Sequence, residues 1–232
     1  MVDTSRPEQV EVPTLLSLCE RVAVIDHHRV AATYIQDASL SYIEPYASSA
    51  CELVTELLQE LPDAGHILRC EAEALLSGIV LDTKSFTLRT GERTFDAASW
   101  LRREGADTAS VKRLLQSDLE HTVAKYGILQ CAQLYRGIAV AVPDAPQDRV
   151  VAAQAADELL NVSGVDASIV VAPDGSGGSF ASARSIGDVN VQLIMEKLGG
   201  GGNRSAAAAQ FAGLSLGEAK KRVYAAIDDY LS

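Results

Sequence analysis

No run of apolar residues in this chain approaches the roughly 20 that a membrane-crossing helix requires. The longest, such as Gly137 to Pro143, are far shorter, and no basic-plus-apolar leader opens the sequence. Membrane contact by these residues is not expected. Cysteine is sparse too: Cys19, Cys51, Cys70 and Cys131 are scattered and form no CxxC pair. Their spacing disfavours a disulfide framework and favours reduced thiols in a cytoplasmic setting. Positive charge is in short supply. Twenty Lys and Arg stand against 31 Asp and Glu, a formal net charge of -11. Long nucleic acid is held mostly by cations facing phosphates, so it is a poor partner for such a chain. A small anionic substrate, with metal ions offsetting the charge, fits better. Internal repeats and low-complexity tracts are absent.

What is present reads as α/β. The 232 residues are 47% hydrophobic and 22% charged, enough for two compact domains, each with its own core. In the first part, Arg21 to Ile25 is a short apolar run ending in Asp26-His27-His28. Residues 48–60 carry apolar side chains at helical spacing behind a serine cap, and helix follows over Glu71 to Ser77. The apolar run Gly78 to Leu81 then stops at Asp82, as a strand would. Helix is predicted again over Thr94 to Arg103 and from Ala109 toward Leu134. Alternating strands and helices imply a mostly parallel sheet with covered faces. In the second part, Gly137 to Val142 and Ala167 to Val171 read as strands and Asp148 to Leu160 as helix. Pro173 to Gly178 is a turn-rich loop leading into Ser179 to Arg184. Helices are predicted over Val189 to Leu198, Arg204 to Phe211 and Leu216 to Leu231. The boundaries that follow are 1–108 for the first domain, 109–134 for a connecting helix and 135–232 for the second domain.

Two constellations carry chemistry. Ligands of open parallel sheets bind beyond the carboxyl ends of strands, and Asp26 and Asp82 each follow an apolar run directly, while Asp3 follows Val2. With His27 and His28 they offer carboxylate oxygens and imidazole nitrogens, a donor set that suits Mn²⁺ or a related divalent ion. An Asp in such a place is also a common turn former or helix cap, and for Asp82 alone the two readings balance. The second constellation is Gly199 to Gly202, Asn203 and the predicted helix after them. Glycines let backbone approach a ligand, and a helix N-terminus offers N–H groups to an anion. Asn203 serves equally as a simple N-cap. Ser182, Arg184 and Ser185 could meet the same anion, with Arg184 supplying a bidentate fork for phosphate.

Taken in order, these segments resemble the DHH phosphoesterase family with its C-terminal DHH-associated domain, and most closely its bacterial cyclic-di-AMP phosphodiesterase branch. The resemblance rests on Val2-Asp3-Thr4, Val24 to Arg29, Glu44 to Glu52 and Gly78 to Thr83 continuing through Arg89-Thr90-Gly91. In the second part it rests on Ser182 to Ser185 and on Asn190 through Gly202. It implies a partial DHH domain followed by a smaller α/β DHH-associated domain. Asp3, His27 and Asp82 then resemble metal ligands, Asp26 a partner orienting both histidines, and His28 a contact to the substrate phosphate. Ser182, Arg184, Ser185, Gly200, Gly201, Gly202 and Asn203 would hold the nucleotide across a cleft. The implied substrates are a cyclic dinucleotide or pApA, and the implied cofactor is Mn²⁺, two ions in the family site. The family's first motif, a histidine with two aspartates, would precede Asp3, so one ion or none is expected to be well held here and catalysis to be impaired. The family ends its glycine motif in histidine where this chain has Asn203, which puts nucleotide affinity and preference in doubt. The resemblance also implies longer parents with membrane helices, and it is compatible with a homodimer.

Overall fold

The chain divides into two α/β units, residues 1–116 and 117–232, in a computed structural model whose described residues are 1–30, 32–61 and 67–232. In the first unit, strand β1 (Ala23–Asp26) pairs in parallel with β2 (Leu40–Ile43), Ala23 opposite Leu40 and Asp26 opposite Ile43. A short helix α1 (Thr14–Leu18) precedes them. The chain start runs along the other edge of β1: Val2 bridges Ile25, and the Asp3 amide donates to the Ile25 carbonyl at 3.0 Å. That pairing brings residue 3 beside the last residues of β1.

Helices α2 (Ala50–Glu60), α3 (Arg69–Asp82), α4 (Glu92–Arg103) and α5 (Thr108–Leu114) form the rest of this unit. The side chain of Ser49 accepts from the Glu52 amide and caps α2. Ala72, Leu76 and Ile79 of α3 pack with Ala97, Leu101, Ala106 and Val111 in one apolar cluster. No helix among the described residues is long and apolar enough to cross a membrane.

Gly78 to Leu81 is not a strand. It is the last turn of α3, and Asp82 ends a helix. The buried positions Ala72, Leu76, Ile79 and Thr83 recur at intervals of four and three, which is helical spacing. Four apolar residues read alone cannot distinguish a strand from the buried end of a helix. Gly78 is where α3 presses on α2: a Cβ there would lie 2.3 Å from the Cys51 sulfur.

Residues 109–134 are likewise not one connecting helix. After α5, Asp118 accepts from the His121 amide at 2.8 Å and starts a separate helix, α6 (Leu119–Gln130); the chain then enters strand β3 (Ala132–Tyr135). The second unit continues with β4 (Ile138–Ala141), α7 (Arg149–Leu159), β5 (Ala167–Pro173), β6 (Ser179–Ser185), α8 (Val191–Glu196), β7 (Gly201–Gly202), β8 (Ala206–Phe211) and α9 (Leu216–Tyr230). Its sheet has the order β3-β4-β5-β6-β8-β7; β4 and β5 run parallel and every other neighbouring pair is antiparallel. Ile169, Val171, Ala181, Ala183, Ala207 and Ala209 face α8 and α9. Val170, Ala172 and Phe180 face α6 and α7.

The helix predicted over Arg204 to Phe211 is strand β8. Four consecutive alanines favour helix locally, but Ala207, Ala209 and Phe211 are buried while Ala208 and Gln210 are exposed, a period of two. Pairing with β6, from Ser179 opposite Phe211 to Arg184 opposite Ala206, outweighs the local preference. Alanines on the buried face let α8 and α9 lie close to the sheet.

Candidate metal centre and nucleotide cavity

In the first unit, Asp3, Asp26, His27, His28 and Asp82 come together from three segments. The Asp3 backbone is left-handed (φ 63°), unusual for a residue other than glycine, and is held by its bond to Ile25. His27, with its side chain 5% exposed, turns Nε2 toward Asp3 Oδ1 at 3.3 Å and Asp82 Oδ2 at 3.8 Å. Adjacent donors on an octahedral ion with bonds of about 2.1 Å lie about 3 Å apart, so the Asp3–His27 separation suits a shared cation, while Asp82 stands farther off. Ligand atoms of Asp3, His27 and His28 all lie within 4.8 Å of one another. The mixture of carboxylate and imidazole fits a manganese-like divalent ion. His27 Nδ1 is buried without a hydrogen-bond partner among the described residues. Ligating histidines ordinarily donate that second nitrogen to an acceptor.

Asp26 orients one histidine rather than both. Its Oδ1 accepts from the His28 ring Nδ1 at 2.7 Å and from the His28 amide at 3.1 Å. In the neutral ring this pairing makes Nδ1 the donor and Nε2 the acceptor, on a side chain that is half exposed. The carboxyl of Asp26 is fully buried; burial pushes its pKa up, but the interactions with His28 and Ser5 together outweigh that and hold it below the ordinary range. Asp82 shifts the other way: burial pushes its pKa up and the neighbouring Asp3 charge adds to this, against the opposing influence of His27. Cys51 lies close enough to feel both carboxylates, and burial with those charges pushes its thiol up to about 11.

Beyond Asp82 the backbone does something the sequence did not signal. Lys84, Ser85 and Phe86 are left-handed in succession, with φ of 49°, 59° and 62°. Such residues cost on the order of 1–2 kcal/mol each, and buried Thr83 holds the turn. Its hydroxyl donates to the Ile79 carbonyl and accepts from the Phe86 amide, and its own carbonyl accepts from Thr87 and Leu88. Phe86 then stacks on Phe95, ring centroids 5.6 Å apart.

In the second unit, a cavity of about 360 Å³ lies on the α7 face of the sheet. Of the residues predicted to hold an anion, Ser182, Arg184, Gly201 and Gly202 line it. Ser185 does not. Strand alternation sends it to the face of Ala181 and Ala183, where its hydroxyl is buried without a partner among the described residues. Gly200 and Asn203 also lie outside the lining and serve the hairpin. Because β8 is a strand, no helix N-terminus follows the glycines. Instead Asn203 Oδ1 accepts from the Ser205 amide and hydroxyl and the Ala206 amide, closing the turn between β7 and β8. Gly202 has φ 149°, and a Cβ on it would sit 2.4 Å from the Ala206 carbonyl oxygen. Arg184 is half-buried; its Nη1 donates to the Ala183 carbonyl at 2.9 Å, and Nε lies 3.5 Å from Asp157. Among the lining residues that sequence reasoning missed are Arg149, Phe180 and Gln210. The period-two pattern of β8 was the signal for Gln210.

A cluster of carboxylates and imidazoles thus lies in one α/β unit and an arginine-lined cavity in the other. The chain belongs to the DHH family: the DHH family N-terminal domain matches residues 1–79 and the DHHA1 domain matches residues 136–232. It is 50% identical, over 99% of its length, to cyclic-di-AMP phosphodiesterase GdpP of Geobacillus thermodenitrificans, covering 35% of that protein. It is 47% identical, over 99% of its length, to cyclic-di-AMP phosphodiesterase PdeA of Listeria monocytogenes, covering 36% of it. The chain thus spans about a third of the length of these relatives. Among solved structures, an exopolyphosphatase-related protein from Bacteroides fragilis shares the fold, with a TM-score of 0.85 at 20% identity, over 99% of this chain and 70% of that one.

Proposed function

We propose that this chain is the catalytic portion of a metal-dependent phosphodiesterase that hydrolyses cyclic di-AMP to pApA. One water is consumed per bond: its oxygen joins phosphorus, one P–O3′ bond breaks, and the freed 3′-oxygen takes a proton, leaving a 5′-phosphate. The observation that carries this reading is the convergence of Asp3 and Asp82 on His27 Nε2. These residues hold a divalent ion of the Mn²⁺ class. Bound there, such an ion polarises phosphoryl oxygens and makes water a better nucleophile at neutral pH. His28 presents Nε2 to the phosphate, with Asp26 fixing its ring. Ser182, Arg184, Gly201 and Gly202 hold the nucleotide, while Gly200, Ser185 and Asn203 shape the strands around it.

The donors gathered in these residues suffice for one ion, whereas the family resemblance implies two. We therefore expect the 232 residues alone to bind nucleotide and one metal ion but to turn substrate over weakly. Calorimetric titration of the chain with Mn²⁺ and with cyclic di-AMP, beside turnover of cyclic di-AMP and of pApA, tests the reading. Saturable Mn²⁺ binding lost in His27→Ala supports the centre. Cleavage of pApA alone, by the chain or by a longer protein containing it, overturns the substrate. Rapid hydrolysis by these residues alone overturns the expected impairment.

A further inference from the structure

The cavity on the sheet face of the second unit carries chemistry that the phosphate-binding reading leaves unused. Strand register sets Phe180 opposite Gln210, Ser182 opposite Ala208 and Arg184 opposite Ala206. These six residues share one face. Arginine and serine stand at one end, the glutamine at the other, and the two alanines make a low apolar floor between them. Arg149, from the start of α7, forms a wall, with its guanidinium 5.7 Å from the Phe180 ring centroid. Gln210 is exposed, and its side-chain amide makes no hydrogen bond among the described residues.

We propose that this cavity takes a single adenine nucleotide and that Gln210 reads the base. Three observations support the assignment. The volume of about 360 Å³ is near the lower end of the roughly 300–1,000 Å³ usual for ligand sites, so it admits one nucleotide rather than a whole dinucleotide. From Gln210 to Ala206 is four residues of strand, about 13 Å. That spacing separates the glutamine from Arg184 by a distance suited to base edge and 5′-phosphate, once the arginine reaches inward. Finally, a carboxamide sets a donor beside an acceptor. Adenine answers with its N6 amino group and N7, whereas guanine offers acceptors at both O6 and N7, which leaves the glutamine oxygen facing another oxygen. The alanine floor and the planar guanidinium of Arg149 suit the faces of a flat ring.

This rests on the nucleotide phosphodiesterase reading of the same cavity, and calorimetry on the 232-residue chain separates the two. The probes are AMP, GMP, cyclic di-AMP and cyclic di-GMP without added metal. The wild type should prefer each adenine ligand over its guanine counterpart by roughly 5- to 150-fold, the discrimination of one bidentate base contact. Gln210→Leu, at an exposed position, should collapse that ratio toward one. Arg184→Gln should weaken all four ligands while keeping the ratio, and Ala208→Leu should fill the floor and abolish binding. Equal affinity for adenine and guanine ligands in the wild type, or an unchanged ratio in Gln210→Leu, overturns the assignment but leaves the nucleotide reading standing. No binding of any of the four overturns both.

Discussion

Asp26→Asn tests whether one buried carboxylate organises the metal centre. The substitution preserves shape and removes charge. In the native chain Asp26 Oδ1 accepts two bonds from His28, at 2.7 Å from the ring and 3.1 Å from the amide. Hydrogen bonds to an ionised group contribute about 1.5–3 kcal/mol against roughly 0.5–1.5 kcal/mol for neutral pairs. Replacing the charged acceptor by a neutral one should therefore cost about 1–3 kcal/mol. The new amide nitrogen adds to this if it takes the place of Oδ2, which is buried without a hydrogen-bond partner among the described residues. Folding lowers the Asp26 pKa, so the unfolded chain binds this proton more tightly. The contribution is complete above the ordinary carboxylate range and disappears as pH falls through the lowered folded value. Chemical denaturation of metal-free wild type and variant should thus give a stability gap that is widest near neutral pH and closes on acidification. Imidazole ¹⁵N spectra should show the His28 proton pinned to Nδ1 in the wild type and redistributed in the variant. Turnover by a longer, active protein should fall by about 10- to 100-fold, the usual cost of losing such an orienting partner. A gap that is flat with pH, together with an unchanged His28 spectrum, refutes the orienting role.

Other expectations follow from contacts elsewhere. Gly78→Ala should destabilise the first unit by about 1–3 kcal/mol through overpacking against the Cys51 sulfur, despite alanine's better helix propensity. Denaturation of the double variant with Cys51→Ala should recover most of that loss. In the folded chain the Cys51 thiol, held at about 11, should resist iodoacetamide at neutral pH while the exposed Cys19, Cys70 and Cys131 react, as peptide mass mapping will show. Gly202→Ala should open the β7–β8 hairpin, since its new carbon would meet backbone at 2.4 Å. A penalty of roughly 1–3 kcal/mol there should weaken nucleotide binding by about 5- to 150-fold in calorimetry. The melting temperature should scarcely move, because β7 is a two-residue edge strand.

The division between what was readable early and what was not follows the range of the interactions involved. Asp26-His27-His28 after a β-branched run declared its strand and its donors together, because a short buried strand and the residue at its end are local features. The helices over residues 50–60 and 149–159 were equally legible, the first from a serine cap and apolar spacing; the structure adds that Asp148 caps the second. Asp82 was placed at the end of a strand and instead ends a helix. The run before it is apolar on every side, and only its packing on Cys51 and Leu101 distinguishes a helix end from a strand.

The alanines from Ala206 to Ala209 are the sharper case. Local propensity favoured helix, and the pairing that makes them a strand is with β6, more than 20 residues earlier in the chain. By itself the sequence determined which residue types were available: acid and imidazole in the first half, arginine and glycine in the second, and more acidic than basic side chains overall. Only the tertiary structure decided which side chains share a face. Ser182 joined Arg184 in the cavity, Ser185 left it, and Gln210 entered, because a strand's alternation acquires meaning once its neighbours and the covering helices are in place.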